Sequence, residues 1–180
     1  SNLEFWQARA SLVVTDGAGR ELALPGDVRA YLMASTQHGP SAKPDAGICQ
    51  QLSNPAQQAT TVRALMARLI DWARTGKGPP DSRYPTLSGG ALAAPTRAAI
   101  GFPDLGPMGV NFPAVINELT VVDHGTVPPR ADKSRRYEVH VPRTDADGHD
   151  LDGVRLPDVD VPLATHSGWG LRRTGFAEGQ

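Results

Sequence analysis

The residue of this sequence best suited to chemistry is His38, which closely follows an apolar run. Residues 28–35 are apolar on both faces except for Arg29, a pattern typical of a strand buried between two layers of helices. In sheets of this kind, catalytic side chains lie in the loops that leave the strand ends. A histidine in such a loop can take a proton from a nucleophile and later return it. The neighbouring sequence contains no residue that looks built to be that nucleophile.

Two amphipathic helices are predicted on either side of this strand. Apolar residues recur at helical spacing over residues 3–14, and the turn sequence Asp16-Gly17 ends that helix. A second helix is predicted from residue 60 to residue 75, because Gly76 and two prolines follow it. Its apolar stripe should pack on another part of the protein. The stripe consists of Val62, Leu65, Met66, Leu69 and Trp72.

The second half of the chain has a different character. Proline and glycine, 16 and 19 residues in the whole chain, make long helices rare. Short segments typical of strands are separated by turns; they are residues 83–87, 91–94, 114–123, 137–142, 154–156 and 159–163. The sequence therefore predicts a core over residues 1–78 and a loop- and hairpin-rich extension over residues 79–180 that packs on the core.

The order helix, strand, histidine loop, helix is that of the closing part of an α/β-hydrolase, whose triad runs Ser, then Asp or Glu, then His. The chain also resembles the C-terminal part of bacterial α/β-hydrolase domain proteins in a series of short segments. These are Glu4-Phe5-Trp6, Ser11-Leu12 with Thr15-Asp16, Thr36-Gln37-His38-Gly39-Pro40, Val141-Pro142-Arg143, Asp145-Ala146-Asp147-Gly148, Val161-Pro162-Leu163-Ala164-Thr165 and Gly168-Trp169.

This resemblance implies the α/β fold class, with the chain forming the C-terminal portion of a hydrolase sheet. It implies a serine hydrolase that acts on an ester or a related small acyl substrate, with His38 as the last triad residue. The sequence departs from a complete member because it contains no Gly-x-Ser-x-Gly. Ser88 and Ser167 precede glycines but lack the glycine two residues before the serine, so both are interpreted as turn residues. The resemblance therefore places the serine before residue 1, in a missing N-terminal hydrolase segment, and predicts that the 180 residues alone are inactive.

The acidic member of the triad has two candidates in the chain. Glu4 would suit an acid that follows the preceding strand, and Asp16 follows the first predicted helix, where turn formation already explains it. A residue before Ser1 is the third alternative. We expect Glu4, whose carboxylate would orient the ring of His38 and stabilise its imidazolium form.

No metal or cofactor site is expected. The acidic segment 145–153 alternates carboxylates with small residues, but an EF-hand requires Gly at position six and Glu at position twelve, and Leu156 stands at that twelfth position. A hairpin connection is the preferred interpretation. The histidines show no zinc-ligand spacing, and Cys49 has no partner for an internal disulfide.

Composition narrows the possible partners. The chain has 18 Lys+Arg against 19 Asp+Glu, a balance of charge that does not favour binding to nucleic acid. No apolar stretch is long enough to cross a membrane.

The alternative to a hydrolase is a non-catalytic structural or interaction module, with His38 as a structural loop residue. If the two helical stripes stay exposed, we expect the isolated chain to form a homo-oligomer.

Overall fold

Short elements joined by long loops make up the regular structure. The computed structural model of the chain describes residues 1–7, 10–41 and 43–179. Within these residues the α-helices are α1 (Leu3–Trp6), α2 (Ala59–Thr75), α3 (Arg97–Ile100) and α4 (Pro157–Asp160), and 3-10 turns span Ala10–Val13 and Gly106–Met108. The strands are β1 (Leu92–Ala93), β2 (Thr120–Asp123), β3 (Arg130–Arg136) and β4 (Val141–Pro142).

The strands pair into two small antiparallel sheets in the described part of the chain. β1 pairs with β4, and β2 pairs with β3 across an irregularity between Thr120 and Val121. β3 is a strand that the sequence did not predict, because its residues are almost all polar. The strand predicted at residues 159–163 was wrong, because helix α4 begins at Pro157. Proline at the first helical position costs no hydrogen bond, and two acidic residues in the first turn interact favourably with the helix dipole.

The predicted strand at residues 28–35 is an extended segment with two isolated parallel bridges, Tyr31 to Arg83 and Met33 to Val154. The pairing of Tyr31 with Arg83 cannot extend into a longer ladder, because Pro85, two residues beyond Arg83, has no backbone N–H to donate. Burial is shifted toward the C-terminal side of the segment. Residues 32–36 are buried, whereas Val28 is exposed. Residues 28–35 are thus an extended segment that leads to His38, and they do not form a regular strand.

The predicted helix over residues 3–14 is also interrupted. α1 spans Leu3–Trp6, a 3-10 turn spans Ala10–Val13, and residues 8 and 9 of the prediction lie outside the described residues. α1 buries Phe5 and Trp6 and leaves Glu4 partly exposed on its other side. This short helix therefore anchors the N-terminal segment and presents a carboxylate.

One hydrophobic core unites the two halves of the chain. Phe5 and Leu32 from the first half pack with Ile100 from the second half. Aromatic rings form the centre of this cluster, with 5.9 Å between the ring centroids of Trp6 and Trp169. Its buried members are Phe5, Trp6, Val14, Leu32, Leu92, Ile100, Phe102, Val141, Trp169 and Leu171.

α2 confirms the helix predicted from residue 60 to residue 75, but it buries no residue. Gly76 ends it in the left-handed conformation, with φ of 73°, and donates its N–H to the carbonyl of Trp72. The stripe stays partly exposed within the described residues, so its packing on another part of the protein stays a prediction. Its members Met66 and Leu69 are 52% and 50% exposed. No helix within residues 1–7, 10–41 and 43–179 is long and apolar enough to cross a membrane.

Two substitutions test the difference in burial between the hydrophobic core and the face of α2. We expect Ile100→Ala to lower the free energy of unfolding by about 2–4 kcal/mol, because it opens a cavity in the core. Leu69→Ala should change it by less than about 0.5 kcal/mol, since that side chain is half exposed on α2. Urea denaturation of both variants provides the measurement. A large cost at Leu69 would show that the face of α2 is covered in solution.

Candidate active site

His38 and Glu4 form a direct contact. The Nδ1 atom of His38 lies 2.5 Å from Oε1 of Glu4, although the two residues are 34 positions apart. α1 presents the carboxylate, and the loop after the buried segment presents the imidazole. The His38 side chain is 81% exposed, so the remainder of the ring faces solvent. The arrangement is one in which a carboxylate fixes the orientation and tautomer of a histidine.

Glu4 is held in its ionised form by its surroundings. Partial burial on its own would raise the pKa of Glu4, but hydrogen bonds from the Ser1 hydroxyl and from His38 lower it. The carboxylate that contacts His38 is therefore negatively charged at neutral pH.

Asp16, the other acid considered in the chain, is committed to a turn. Its Oδ1 accepts hydrogen bonds from the backbone N–H groups of Ala18 and Arg20, both at 2.9 Å. Its Oδ2 accepts from Nε of Arg20 at 2.7 Å. These bonds lower the pKa of Asp16, led by the one from the Arg20 backbone. The structure thus brings Glu4 rather than Asp16 to His38.

The His38 loop is fixed by hydrogen bonds to its backbone. Nε2 of Gln58, directly before α2, donates to the carbonyl of His38 at 2.9 Å. The hydroxyl of Thr36 donates to the carbonyl of Met33 at 2.8 Å. The N–H of Asn2 donates to the carbonyl of Thr36 at 3.1 Å. The last bond joins the segment that carries Glu4 directly to the loop that carries His38.

Asp150 is the buried group that connects these elements, and the sequence did not reveal it. Its Oδ1 accepts from Nδ2 of Asn2 at 2.7 Å, and its Oδ2 accepts from the N–H of Ser35 at 2.6 Å. Its own N–H donates to the hydroxyl of Ser35 at 2.8 Å. Ser35 has a left-handed φ of 53°, unusual for a residue other than glycine. Paired bonds to Asp150 hold it there, three residues before His38.

Burial dominates the ionisation of Asp150. Removal from water raises its pKa, and hydrogen bonds from Ser35 and Asn2 oppose this rise, leaving the pKa at about 6. The sequence signal was present but ambiguous, because Asp150 belongs to the acidic segment 145–153 that is interpreted as a hairpin connection. The bridge between Thr144 and Asp150 confirms a hairpin turn there.

Three donors of the same hairpin lie close enough to suggest a metal site, contrary to the expectation of none. Donor atoms of Asp145, Asp147 and His149 lie within 4.8 Å of one another. Asp145, however, already accepts the N–H groups of Asp147 and His149 and contacts Arg155. Nε2 of His149 accepts the N–H of His166 at 3.0 Å, so the proton of the neutral ring lies on Nδ1. In this arrangement His149 has no free lone pair to offer a cation.

The serines that precede glycines have other partners. The hydroxyl of Ser88 donates to Glu21 at 2.6 Å, and the hydroxyl of Ser167 donates to the carbonyl of Trp169 at 2.7 Å. Among residues 1–7, 10–41 and 43–179, no serine hydroxyl is hydrogen-bonded to His38. The site in the described residues is therefore a histidine and its carboxylate, without a nucleophile in contact.

Comparison with known proteins identifies the family. The model of the family described as alpha/beta hydrolase domain matches residues 14–180. His38 lies inside this span and Glu4 lies before it. No curated protein and no solved structure matches the chain. Because the family match covers most of the sequence, the chain belongs to the alpha/beta hydrolase domain family.

Proposed function

We propose that this chain supplies the histidine and the acid of a serine-hydrolase triad that acts on a small ester or related acyl substrate. The observation that carries the proposal is the 2.5 Å contact between Nδ1 of His38 and Glu4. The nucleophile would be a serine of the N-terminal hydrolase segment, because no Gly-x-Ser-x-Gly occurs in these 180 residues. His38 would be the catalytic base, and Glu4 would be its orienting acid.

The chemistry follows from the two nitrogens of the ring. With Nδ1–H donated to Glu4, the lone pair lies on Nε2, which takes the serine proton as the serine oxygen attacks the ester carbonyl. The negative charge of Glu4 stabilises the imidazolium that forms. Nε2 then returns the proton to the departing alcohol oxygen, leaving an acyl-serine. Water attacks this ester in the second half-reaction, with His38 again as base, and releases the acid.

The exposed face of α2 supports a further segment that packs on this chain. Half-exposed apolar side chains along one helix represent surface that ordinarily packs on a partner. We assign the N-terminal hydrolase segment as that partner, with residues 1–78 as the C-terminal part of the hydrolase core and residues 79–180 as an extension that packs on it. Gln58 precedes α2 and bonds His38, so packing on α2 would place the new segment beside the dyad.

A non-catalytic interaction module is the second candidate, and the same exposed face of α2 favours it. In that case α2 would bind a partner, and the contact between His38 and Glu4 would only stabilise the loop. The two functions differ in whether an activated serine exists.

A fluorophosphonate probe tests the proposal on the protein that includes the N-terminal hydrolase segment. We expect one serine of that segment to be labelled. Glu4→Gln should slow labelling by about 10²- to 10⁴-fold, because the ring loses the charge that orients it and stabilises its protonated form. The matched control is Asp16→Asn, which alters a turn and should label at the unchanged rate. Absence of labelling would favour the interaction module, whereas labelling at equal rates in both variants would refute the orienting role of Glu4.

A further inference from the structure

An apolar groove opens beside the His38 loop. Its volume is about 530 Å³, within the range of sites that hold small molecules. Its lining comes from residues 51–55, 102–110 and 164–170, and Trp169 among them also belongs to the hydrophobic core. Gln37, the residue before His38, also lines the groove. The groove thus reaches the base of the loop that carries the imidazole.

The lining of this groove carries no formal charge. Among its described lining residues there is no Asp, Glu, Lys or Arg, and His166 is the one with a titratable side chain. Its polar members are otherwise neutral amides and hydroxyls. An anionic or cationic group would find no counter-charge there, and its desolvation would be uncompensated. The lining therefore matches an uncharged apolar ligand.

Two large apolar side chains stand exposed at the groove. Leu52 is 68% exposed and Met108 is 71% exposed, and they come from separate segments of the lining. A ligand between them would remove both side chains from water, which is favourable at about 25 cal/mol for each Å² of apolar surface buried. Methionine also adapts its shape to ligands of different outline. Covering this pair is thus the main source of binding energy that the groove can offer.

The groove is coupled to the dyad through Gln37. The Oε1 atom of Gln37 accepts the N–H of Asn54, in the lining, at 3.0 Å. The carbonyl of Gln37 accepts from Nε2 of Gln58 at 3.4 Å, and the same nitrogen donates to the carbonyl of His38. One set of hydrogen bonds consequently fixes both the groove lining and the histidine.

We propose that this groove binds the uncharged apolar part of the ester substrate, an alkyl chain of medium length, and holds the ester group toward His38. Assigning the alkyl chain to an ester rests on the proposed hydrolase function; the binding of an uncharged alkyl group does not. The groove would make the protein selective for longer acyl chains over acetyl esters, because each buried methylene contributes about 0.8 kcal/mol.

Methionine methyl groups provide a direct test on the 180-residue chain. The chain contains three methionines, Met33, Met66 and Met108, of which Met108 lines the groove. Titration of methyl-labelled protein with octanamide, an uncharged and slowly hydrolysed analogue, should shift the Met108 signal in a saturable manner. The signal of Met66, which is exposed on α2, should stay in place. Replacing octanamide with butanamide should weaken binding by at least about tenfold.

A matched pair of variants locates the site. Leu52→Gln should weaken octanamide binding by about tenfold, and Leu69→Gln, an exposed leucine of α2, should leave it unchanged. Equal affinity for the two amides, or equal effects of the two variants, would overturn the proposal. A concentration-dependent dimer that Leu52→Gln abolishes would also overturn it, because the groove would then belong to a second copy of the chain.

The outcome is separable from that of the catalytic proposal. Octanamide binding is measured on the 180-residue chain and does not depend on labelling of a serine. If binding persists and the fluorophosphonate labels no serine, the groove stands and the hydrolase function fails. If labelling succeeds and Met108 does not respond to octanamide, the hydrolase stands and the alkyl chain does not bind in this groove.

Discussion

Replacing His38 with alanine, in a protein that includes the proposed N-terminal hydrolase segment, is expected to lower kcat for short-chain acyl esters by about 10⁴-fold. Without the imidazole, no group in contact with Glu4 can take the serine proton. Because the His38 side chain is 81% exposed, its removal should shift Tm by less than about 2 °C. Ester hydrolysis followed by release of p-nitrophenol measures the rate, and thermal unfolding of the same sample measures stability.

An exposed histidine elsewhere in the chain supplies the control. His124 follows β2 and is solvent-exposed, and His124→Ala should hydrolyse the same esters at the unchanged rate. The catalytic role of His38 would be refuted by a turnover number that stays within about twofold when the imidazole is removed. Equal losses in both variants would point to a general effect on the protein.

Asp150→Ala is expected to have a large effect on stability, lowering the free energy of unfolding by about 3 kcal/mol near neutral pH. The substitution leaves the N–H of Ser35 and Nδ2 of Asn2 without their acceptor in a buried site, and each buried unpaired donor costs about 1–3 kcal/mol. Asp147→Ala, an exposed acid of the same hairpin, should cost less than about 0.5 kcal/mol. Urea denaturation compares the two variants.

The pH dependence of this cost has a definite sign. The pKa of Asp150 is raised from 3.8 to about 6 in the folded protein, so folding favours its protonated form. Its contribution to stability is complete below about pH 4 and is lost as the pH rises through about 6. We therefore expect Asp150→Ala to cost more near pH 4.5 than near pH 7.5. A cost that grows as the pH rises would show that the carboxylate is stabilised in its charged form.

Local sequence patterns predicted the features that depend on neighbouring residues. α2 was predictable because its periodicity, its terminal Gly76 and the following prolines all act within one helix. α4 was not, because alternation over residues 159–163 obscured the helix start at Pro157. The exposure of α2 was predicted only as an alternative, since an apolar stripe indicates that a helix has a partner but not where that partner lies.

The sequence predicted the two residues of the candidate site but not the buried hydrogen bonds that hold them in place. Glu4 and His38 were chosen for their order along the chain, and the structure places them in contact; their catalytic roles stay predictions. The network around Asp150 depends on bonds across 115 and 148 positions of the chain. No periodicity reports pairings at such separations, and the position of Asp150 within an acidic hairpin offered a simpler local explanation.

The bonds of Asp150 have a consequence for the order of events during synthesis. The N-terminal residues that carry Glu4 and the loop that carries His38 leave the ribosome long before the hairpin that ties Asn2 to Ser35. Until residue 150 emerges, the polar groups of Asn2 and Ser35 lack their buried acceptor, and the dyad lacks the clamp that fixes its spacing. A growing chain therefore carries Glu4 and His38 without this connection until residue 150 has been synthesised.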